Sequence, residues 1–313
     1  MVDNKFSDVS WVTLTEDEAG QRVDNYLFTY LKGVPKSRIY KALRGGEIRI
    51  NKKRVKPLYK LQAGDLLRLP PFYREVKAEP FVKDTLKQQI EANIVFESAD
   101  IIAVNKPSGV AVHGGSGLAL GLIEVMKQLR PDVKRLALVH RLDRDTSGVI
   151  LLAKNAKTLR YLHAQLREKH MQKTYWALAV GRWPRRRTAV DVGLDKIALP
   201  SGERIVKAKI EGKPSLTRFA ILQQLKGATL VEVMPVTGRT HQIRVHCQYA
   251  GHPLLGDEKY FTDESKALGL KAKVPRLFLH AAKLVFRLPD GKKCTVEAPM
   301  PSDLQQVLDF LSK

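Results

Sequence analysis

Leu136-Ala137-Leu138-Val139-His140-Arg141-Leu142-Asp143-Arg144-Asp145-Thr146-Ser147-Gly148-Val149-Ile150-Leu151-Leu152-Ala153 is the stretch that decides the architecture. Two short apolar runs, 136–139 and 149–153, bracket a polar loop that ends on a glycine. They lie in a region whose pattern is mostly strands with a few helices. The loop between them gathers a histidine, two arginines, two aspartates and two hydroxyls. Loops held by rigid strands are where reacting groups are commonly placed. By residue type alone, a polar turn closed by local salt bridges fits equally well.

Outward from the loop, strands predominate. Residues 94–96 and 101–104 read as strands around an acidic turn, and Lys106-Pro107-Ser108-Gly109 as a further turn. After 149–153, Asn155 can cap a helix whose inward residues are Leu159, Leu162 and Leu166. Residues 174–180 and 229–234 are further strands, and a helix over 240–250 ends at Gly251 and Pro253. The order is α+β, not a regular βαβ alternation. Neither GxGxxG nor GxxxxGK[ST] occurs, so no dinucleotide or nucleoside triphosphate site is expected.

Toward the N-terminus, Val23, Tyr26, Leu27, Tyr30 and Leu31 form the apolar stripe of a helix over 21–31. A second helix fits 35–44, opened by Pro35 and stopped by Gly45-Gly46. Ile39 and Leu43 form its apolar side, and Arg38, Lys41 and Arg44 share another. Strands follow at Ile48 to Ile50 and at Leu67 to Leu69. Between positions 32 and 60, eleven basic residues, among them Lys52, Lys53 and Arg54, face the single acid Glu47, a net of +10. A solvated helix face interleaves acids to gain i,i+4 pairs, and this one does not, so phosphate contact is the better account. Pro70-Pro71 marks a break. The boundaries so read are an extension at 1–19, a basic domain at 20–70, a linker at 71–92 and a larger domain at 93–313.

The whole chain has the same bias: 54 Lys+Arg against 32 Asp+Glu give +22 over 313 residues. Like charges repel in the compact state, so the excess points to a polyanionic partner, nucleic acid before membrane. No apolar run is long enough for a spanning helix and no secretory leader is visible, so a cytoplasmic protein without a membrane partner is expected. The two cysteines, Cys247 and Cys294, have no metal or redox spacing. His241 and His246 lie five apart with no further ligand beside them, so no metal site is expected.

His140 to Gly148 resembles the signature of the RluA-type pseudouridine synthases of ribosomal and transfer RNA. Further motifs agree in order. Asn105-Lys106-Pro107-Ser108-Gly109 with Val112-His113-Gly114-Gly115 resembles the entry to that family's catalytic domain. Lys173-Thr174-Tyr175-Trp176-Ala177-Leu178 resembles the strand bearing its active-site tyrosine. Pro235-Val236-Thr237-Gly238-Arg239-Thr240-His241-Gln242-Ile243-Arg244 resembles its arginine motif, and Leu277-Phe278-Leu279-His280-Ala281 a late motif packed beside the site. One departure is Phe261, which follows His252-Pro253-Leu254-Leu255-Gly256-Asp257-x-x-Tyr260 where the family more often has glycine. The basic segment resembles the small RNA-binding domain named after ribosomal small-subunit protein four, through Arg22-Val23-Asp24, Ser37-Arg38, Ile48-x-Ile50-Asn51 and Gly64-Asp65.

The resemblance implies an α+β protein: a small helix-helix-strand RNA-binding domain, then a catalytic domain on a mixed, mainly antiparallel sheet. It implies isomerisation of uridine to pseudouridine in large-subunit (23S) ribosomal RNA, with Asp143 and not Asp145 as the catalytic carboxylate. No cofactor is implied, and a monomer is expected. Asp143 can attack C1′ or C6, or remove a proton from C2′. Each needs it ionised where desolvation opposes ionisation, and a cation at Arg244 counters that; a phosphate contact is the other reading of Arg244. Tyr175 offers a flat face for uracil or is an ordinary strand aromatic, and Leu279 is a packing residue. A stacked uridine must turn outward, and Arg141 either fills the gap or clamps a phosphate. His140, beside it, is a further candidate for substrate contact. A non-catalytic RNA-binding or ribosome-assembly factor explains the charge but requires nothing particular at 143, 175 or 244. A glycosidase or metal-dependent nuclease would need opposed carboxylates, a poor match for Asp143 and Asp145 in one loop.

Overall fold

The computed structural model describes residues 4–6, 8–75, 81–114, 120–198 and 204–313. Gly115 of the entry motif and positions 76–80 of the expected linker lie outside the described residues. The chain divides into two compact units, Met1–Phe81 with Asn155–Lys157, and Val82–Lys154 with Thr158–Lys313.

The first unit contains β1 (Asn4–Phe6), β2 (Ser10–Thr13), α1 (Val23–Tyr30), α2 (Lys36–Gly45), β3 (Arg49–Ile50), β4 (Lys53–Arg54), β5 (Leu66–Leu69) and β6 (Tyr73–Glu75). Four residues of the stripe read from the sequence form the buried face, Val23, Tyr26, Leu27 and Leu31 packing with Ile39, Leu43, Ile48 and Leu67, whereas the fifth, Tyr30, is exposed. Each such aliphatic side chain stabilises the unit by about 1.5–3 kcal/mol on burial. Pro35 precedes the first turn of α2, and Gly46 ends it in the left-handed region at φ 69°. Asn51 and Lys52, with φ of 49° and 66°, form the two-residue turn between β3 and β4. That hairpin carries Lys52, Lys53 and Arg54, all exposed.

Two boundaries differ from the sequence reading. The 1–19 extension belongs to the unit: β2 pairs with β5 and Leu14 is buried. The 71–92 linker contains β6, paired with β1, and then a helix, α3 (Asp84–Ala92), in the second unit. Only Leu86 and Ile90 of that helix pack inward, too narrow a stripe in a polar segment to stand out.

The second unit continues with β7 (Ile94–Glu97), β8 (Ile101–Lys106), α4 (Leu122–Leu129), β9 (Ala137–Leu138), β10 (Ser147–Ala153), α5 (Ala156–Arg167), β11 (Gln172–Val180), β12 (Ala189–Asp191), β13 (Leu194–Ala198) and β14 (Arg204–Ala208). It ends with β15 (Leu216–Leu225), β16 (Ala228–Pro235), α6 (Gln242–Tyr249), α7 (Asp263–Lys271), β17 (Leu279–Arg287), β18 (Lys293–Glu297) and α8 (Ser302–Ser312). One large sheet runs β12-β15-β16-β11-β17-β10-β8-β7, with β18 and β9 at its margins. Its pairings are antiparallel except β10 with β17, which is parallel. The sheet is therefore mixed and mainly antiparallel. Its period of two serves two cores: Ile102, Val104, Ile150 and Leu152 face one, Ile101, Ala103, Val149 and Leu151 the other. Burial on both faces is why 149–153 reads as a continuous apolar run.

Candidate active site

The nine-residue loop joins β9 to β10, beside the parallel seam. Gly148, at φ +111°, is where the two strands come closest. A side chain there would place its first carbon 2.2 Å from the Ala281 carbonyl oxygen, so only glycine fits. Ser147 hydrogen-bonds across the seam to Nδ1 of buried His280 at 2.9 Å.

The 105–109 segment clamps this loop from the other side. Lys106 is fully buried, and its ammonium donates to the carbonyls of Pro107 (2.8 Å), Val110 (2.8 Å) and Arg144 (2.9 Å). Three protons thus meet three acceptors. Burial pushes Lys106 down to about 7, with Asp145 and Asp143 pulling the other way. The Ser108 hydroxyl donates to the Asp145 carbonyl at 2.7 Å, and the Gly109 amide to the Arg144 carbonyl at 2.9 Å.

Held in this way, the loop separates its two carboxylates. Asp145 points outward and pairs with Arg144 at 2.9 Å. Asp143 lines a cavity of about 360 Å³ and also a broad groove of about 1120 Å³ on its other side. The cavity brings Asp143 together with Tyr175, Arg244, Arg141, His140 and Leu279, residues the sequence scatters over 140 positions. Tyr175 and Leu279 are buried, on neighbouring strands. Burial, with a contribution from the Asp143 carboxylate, raises the Tyr175 phenol above its ordinary range, so it stays protonated at neutral pH. Arg141 is exposed and lines both cavity and groove. His140 accepts the Leu151 amide proton on Nε2 at 3.2 Å; burial and the Lys173 cation push it down to about 3, so it is a neutral ring.

Arg244 departs from the expectation. It forms a two-toothed ion pair with Asp257, both contacts at 2.7 Å, instead of gripping Asp143. Burial opposes its charge, but Asp257 outweighs that and holds the guanidinium above its ordinary value. Asp257 is fixed in turn by the backbone amides of Lys259 and Tyr260, each at 2.9 Å. Among the described residues, the basic group within 4 Å of the Asp143 carboxylate is His241, whose Nε2 lies 3.9 Å away. The sequence reading passed over His241 and Lys106 as candidates for this site. It also passed over Lys173, which lines the cavity and whose charge burial disfavours. All three stand in the quoted motifs; an ionisable residue inside an apolar strand, as with Lys106 and Lys173, was the available signal.

Within the basic domain, Lys41 and Arg44 are exposed, as are Lys52, Lys53 and Arg54. Arg38 is not free: Glu47 holds it through two hydrogen bonds, of 3.1 and 2.7 Å, and it lies over the Phe72 ring. Among the described residues, His, Cys, Asp and Glu side chains nowhere gather in a group of three able to hold a metal ion. No helix among them is long and apolar enough to cross a membrane.

The cavity thus sets a loop aspartate beside a protonated tyrosine and an arginine anchored by Asp257. Residues 100–249 match the model of the RNA pseudouridylate synthase family, and residues 21–67 that of the S4 domain. The chain is 53% identical over 308 residues to ribosomal large subunit pseudouridine synthase C of Escherichia coli (strain K12), covering 97% of each. It is 51% identical over 310 residues to the protein of that name from Pasteurella multocida (strain Pm70), covering 97% of this chain and 94% of that one. Among solved structures, human RNA pseudouridylate synthase domain containing 4 is similar at a TM-score of 0.59 and 26% identity, over 73% of this chain and 96% of that one. The chain belongs to the RNA pseudouridylate synthase family, and it is a pseudouridine synthase with an S4 domain.

Proposed function

We propose that the protein acts in the cytoplasm, as a monomer, on uridines of large-subunit (23S) ribosomal RNA, and that Asp143 is its reacting carboxylate. Two relatives at about half identity over nearly the whole chain carry the ribosomal large subunit and pseudouridine synthase in their names, which supports that reading. The reaction breaks N1–C1′ and joins C5 to C1′; C5 gives up a proton and N1 gains one. No oxidant or reductant is consumed. The observation that carries the assignment is position: both carboxylates line the groove, but Asp143 alone of the two also lines the cavity with Tyr175 and Arg244, whereas Asp145 is paired with Arg144.

Tyr175 supplies the wall on which uracil lies, and Leu279 closes the pocket beside it. Arg244 acts as a fixed positive field, since its hydrogen bonds go to Asp257. Arg141, exposed at the rim, enters the stack that the flipped uridine leaves, its guanidinium plane taking the place of the base. Lys41, Arg44, Lys52, Lys53 and Arg54 hold phosphates, with Arg38 contributing through its pair with Glu47, and His140 shapes the pocket wall. The test uses RNA carrying tritium at C5 of uridine, because the departing proton reports turnover directly. Asp143→Asn should release no tritium and bind RNA as the parent does, while Asp145→Asn stays within about tenfold of it. Equal losses in both variants refute the assignment. Mapping carbodiimide-dependent stops on ribosomal RNA from cells with and without the protein tests the substrate.

A further inference from the structure

His241 precedes α6 with φ 54° and ψ 19°. That left-handed conformation is uncommon outside glycine, though histidine is among the residues that adopt it more readily, and here it is held from the next residue. Gln242 provides the constraint. Its side-chain oxygen accepts from the Thr237 hydroxyl (2.7 Å) and the Arg239 amide (3.0 Å). Its side-chain nitrogen donates to the Leu216 carbonyl (3.0 Å) and the Thr217 hydroxyl (2.9 Å). With four bonds fixing the next residue, the turn is over-determined.

The imidazole does not cap the helix it precedes. Instead, Nδ1 meets the Tyr260 hydroxyl at 2.8 Å, and Nε2 faces Asp143 at 3.9 Å. The Tyr260 oxygen accepts the Val206 amide at 3.0 Å, which leaves the tyrosine proton free for Nδ1. The ring proton then sits on Nε2, the nitrogen directed at the carboxylate. Asp143, Arg244, Lys259, Asp257 and Tyr260 are the charged and titratable groups around the ring, and burial holds it neutral. A closure of about 1 Å makes Nε2–H to Asp143 a normal hydrogen bond, of the kind that tightens when substrate binds.

We propose that His241 is a positioning residue for the reacting carboxylate: Tyr260 keeps the ring proton on Nε2, and that proton holds one Asp143 oxygen so that the other faces the uridine. This rests on Asp143 being the reacting group. A carboxylate otherwise free to rotate is misplaced by an ångström or so, which is worth on the order of 10²-fold in rate.

The experiment measures single-turnover tritium release and RNA affinity for the full chain. His241→Leu, similar in size but without a donor, should slow release on the order of 10²-fold at unchanged RNA affinity. His241→Gln, whose amide nitrogen reaches the Nε2 position, should stay within about tenfold of the parent rate, a rescue that packing alone does not give. Tyr260→Phe should slow release less than His241→Leu, and the double variant should be no slower than His241→Leu alone. If His241→Leu does not fold, His241→Gly, which suits the left-handed backbone, replaces it and should be equally slow. The proposal is overturned if the leucine or glycine variant keeps the parent rate, if glutamine is as slow as leucine, or if the Tyr260 and His241 losses multiply. Asp143→Asn separates the two claims: tritium release by that variant defeats the Asp143 assignment itself, whereas a dead Asp143→Asn beside an active His241→Leu defeats only the role of His241.

Discussion

Replacing Lys106 by methionine tests whether a buried ammonium holds the Asp143 loop in place. Methionine matches the length of the lysine stem but brings none of the three protons that bind Pro107, Val110 and Arg144. The Arg144 carbonyl keeps the Gly109 amide as a donor, so two buried carbonyls, those of Pro107 and Val110, are left without one. At about 1–3 kcal/mol each, the gross loss is roughly 2–6 kcal/mol. Removing an ammonium whose charge burial already disfavours returns part of that loss, leaving a net loss of roughly 1–3 kcal/mol. For a unit of this size each kcal/mol lowers Tm by about 2–4 °C, so a fall of roughly 2–12 °C is expected in calorimetry of the full chain. Below that transition the rate should also suffer. Without the ammonium, the loop beside Asp143 is held only by the Gly109 amide and the Ser108 hydroxyl, and a shift of the carboxylate near 1 Å costs on the order of 10²-fold. Single-turnover tritium release at 25 °C measures this separately from unfolding. A Tm within about 1 °C of the parent, with a rate within about threefold, refutes the clamp.

Removing Lys52, Lys53 and Arg54 together should flatten the slope of log RNA affinity against log salt by roughly two to three units, at about 0.7–0.9 per phosphate lost. An unchanged slope places that hairpin away from the RNA. His280, fully buried, is pushed down to about 4, chiefly by burial. Its folded value thus lies below its unfolded one, near 6.5, so the unfolded chain takes up the proton first. Stability should fall as pH drops from about 6.5 to 4, by at most about 3 kcal/mol. A His280→Gln variant should show a shallower loss of Tm over that interval, and an equal loss contradicts the attribution.

The legible parts of the fold were those whose signal is local. Val23 to Leu31 showed its stripe, Pro35 and Gly46 marked the ends of a helix, and Val149 to Ala153 stood out as an unbroken apolar run. The less legible parts depend on distant partners. β2 is four residues long and is a strand because β5 pairs with it. α3 buries too few side chains to display a period. At the site, the resemblance drew Asp143, Tyr175 and Arg244 together, and the cavity does contain all three. The pairing of Arg244 with Asp257 was not legible, because no rule of spacing tells which of several acids a guanidinium meets. The left-handed turn at His241 was equally hidden. It is set by the bonds of Gln242 to residues more than twenty positions earlier.

The order of strands across the large sheet has a bearing on how the protein comes into being. β17, one of the last strands to leave the ribosome, lies between β10 and β11, both made more than a hundred residues sooner. Until residues 279–287 are available, the aspartate-bearing half and the tyrosine-bearing half have no shared strand to hold them in register. Such distant pairing is slow to form. A nascent chain that already exposes its basic N-terminal unit can therefore associate with RNA well before it can alter any nucleotide. Chains that stop short of β17 should occupy RNA without ever modifying it.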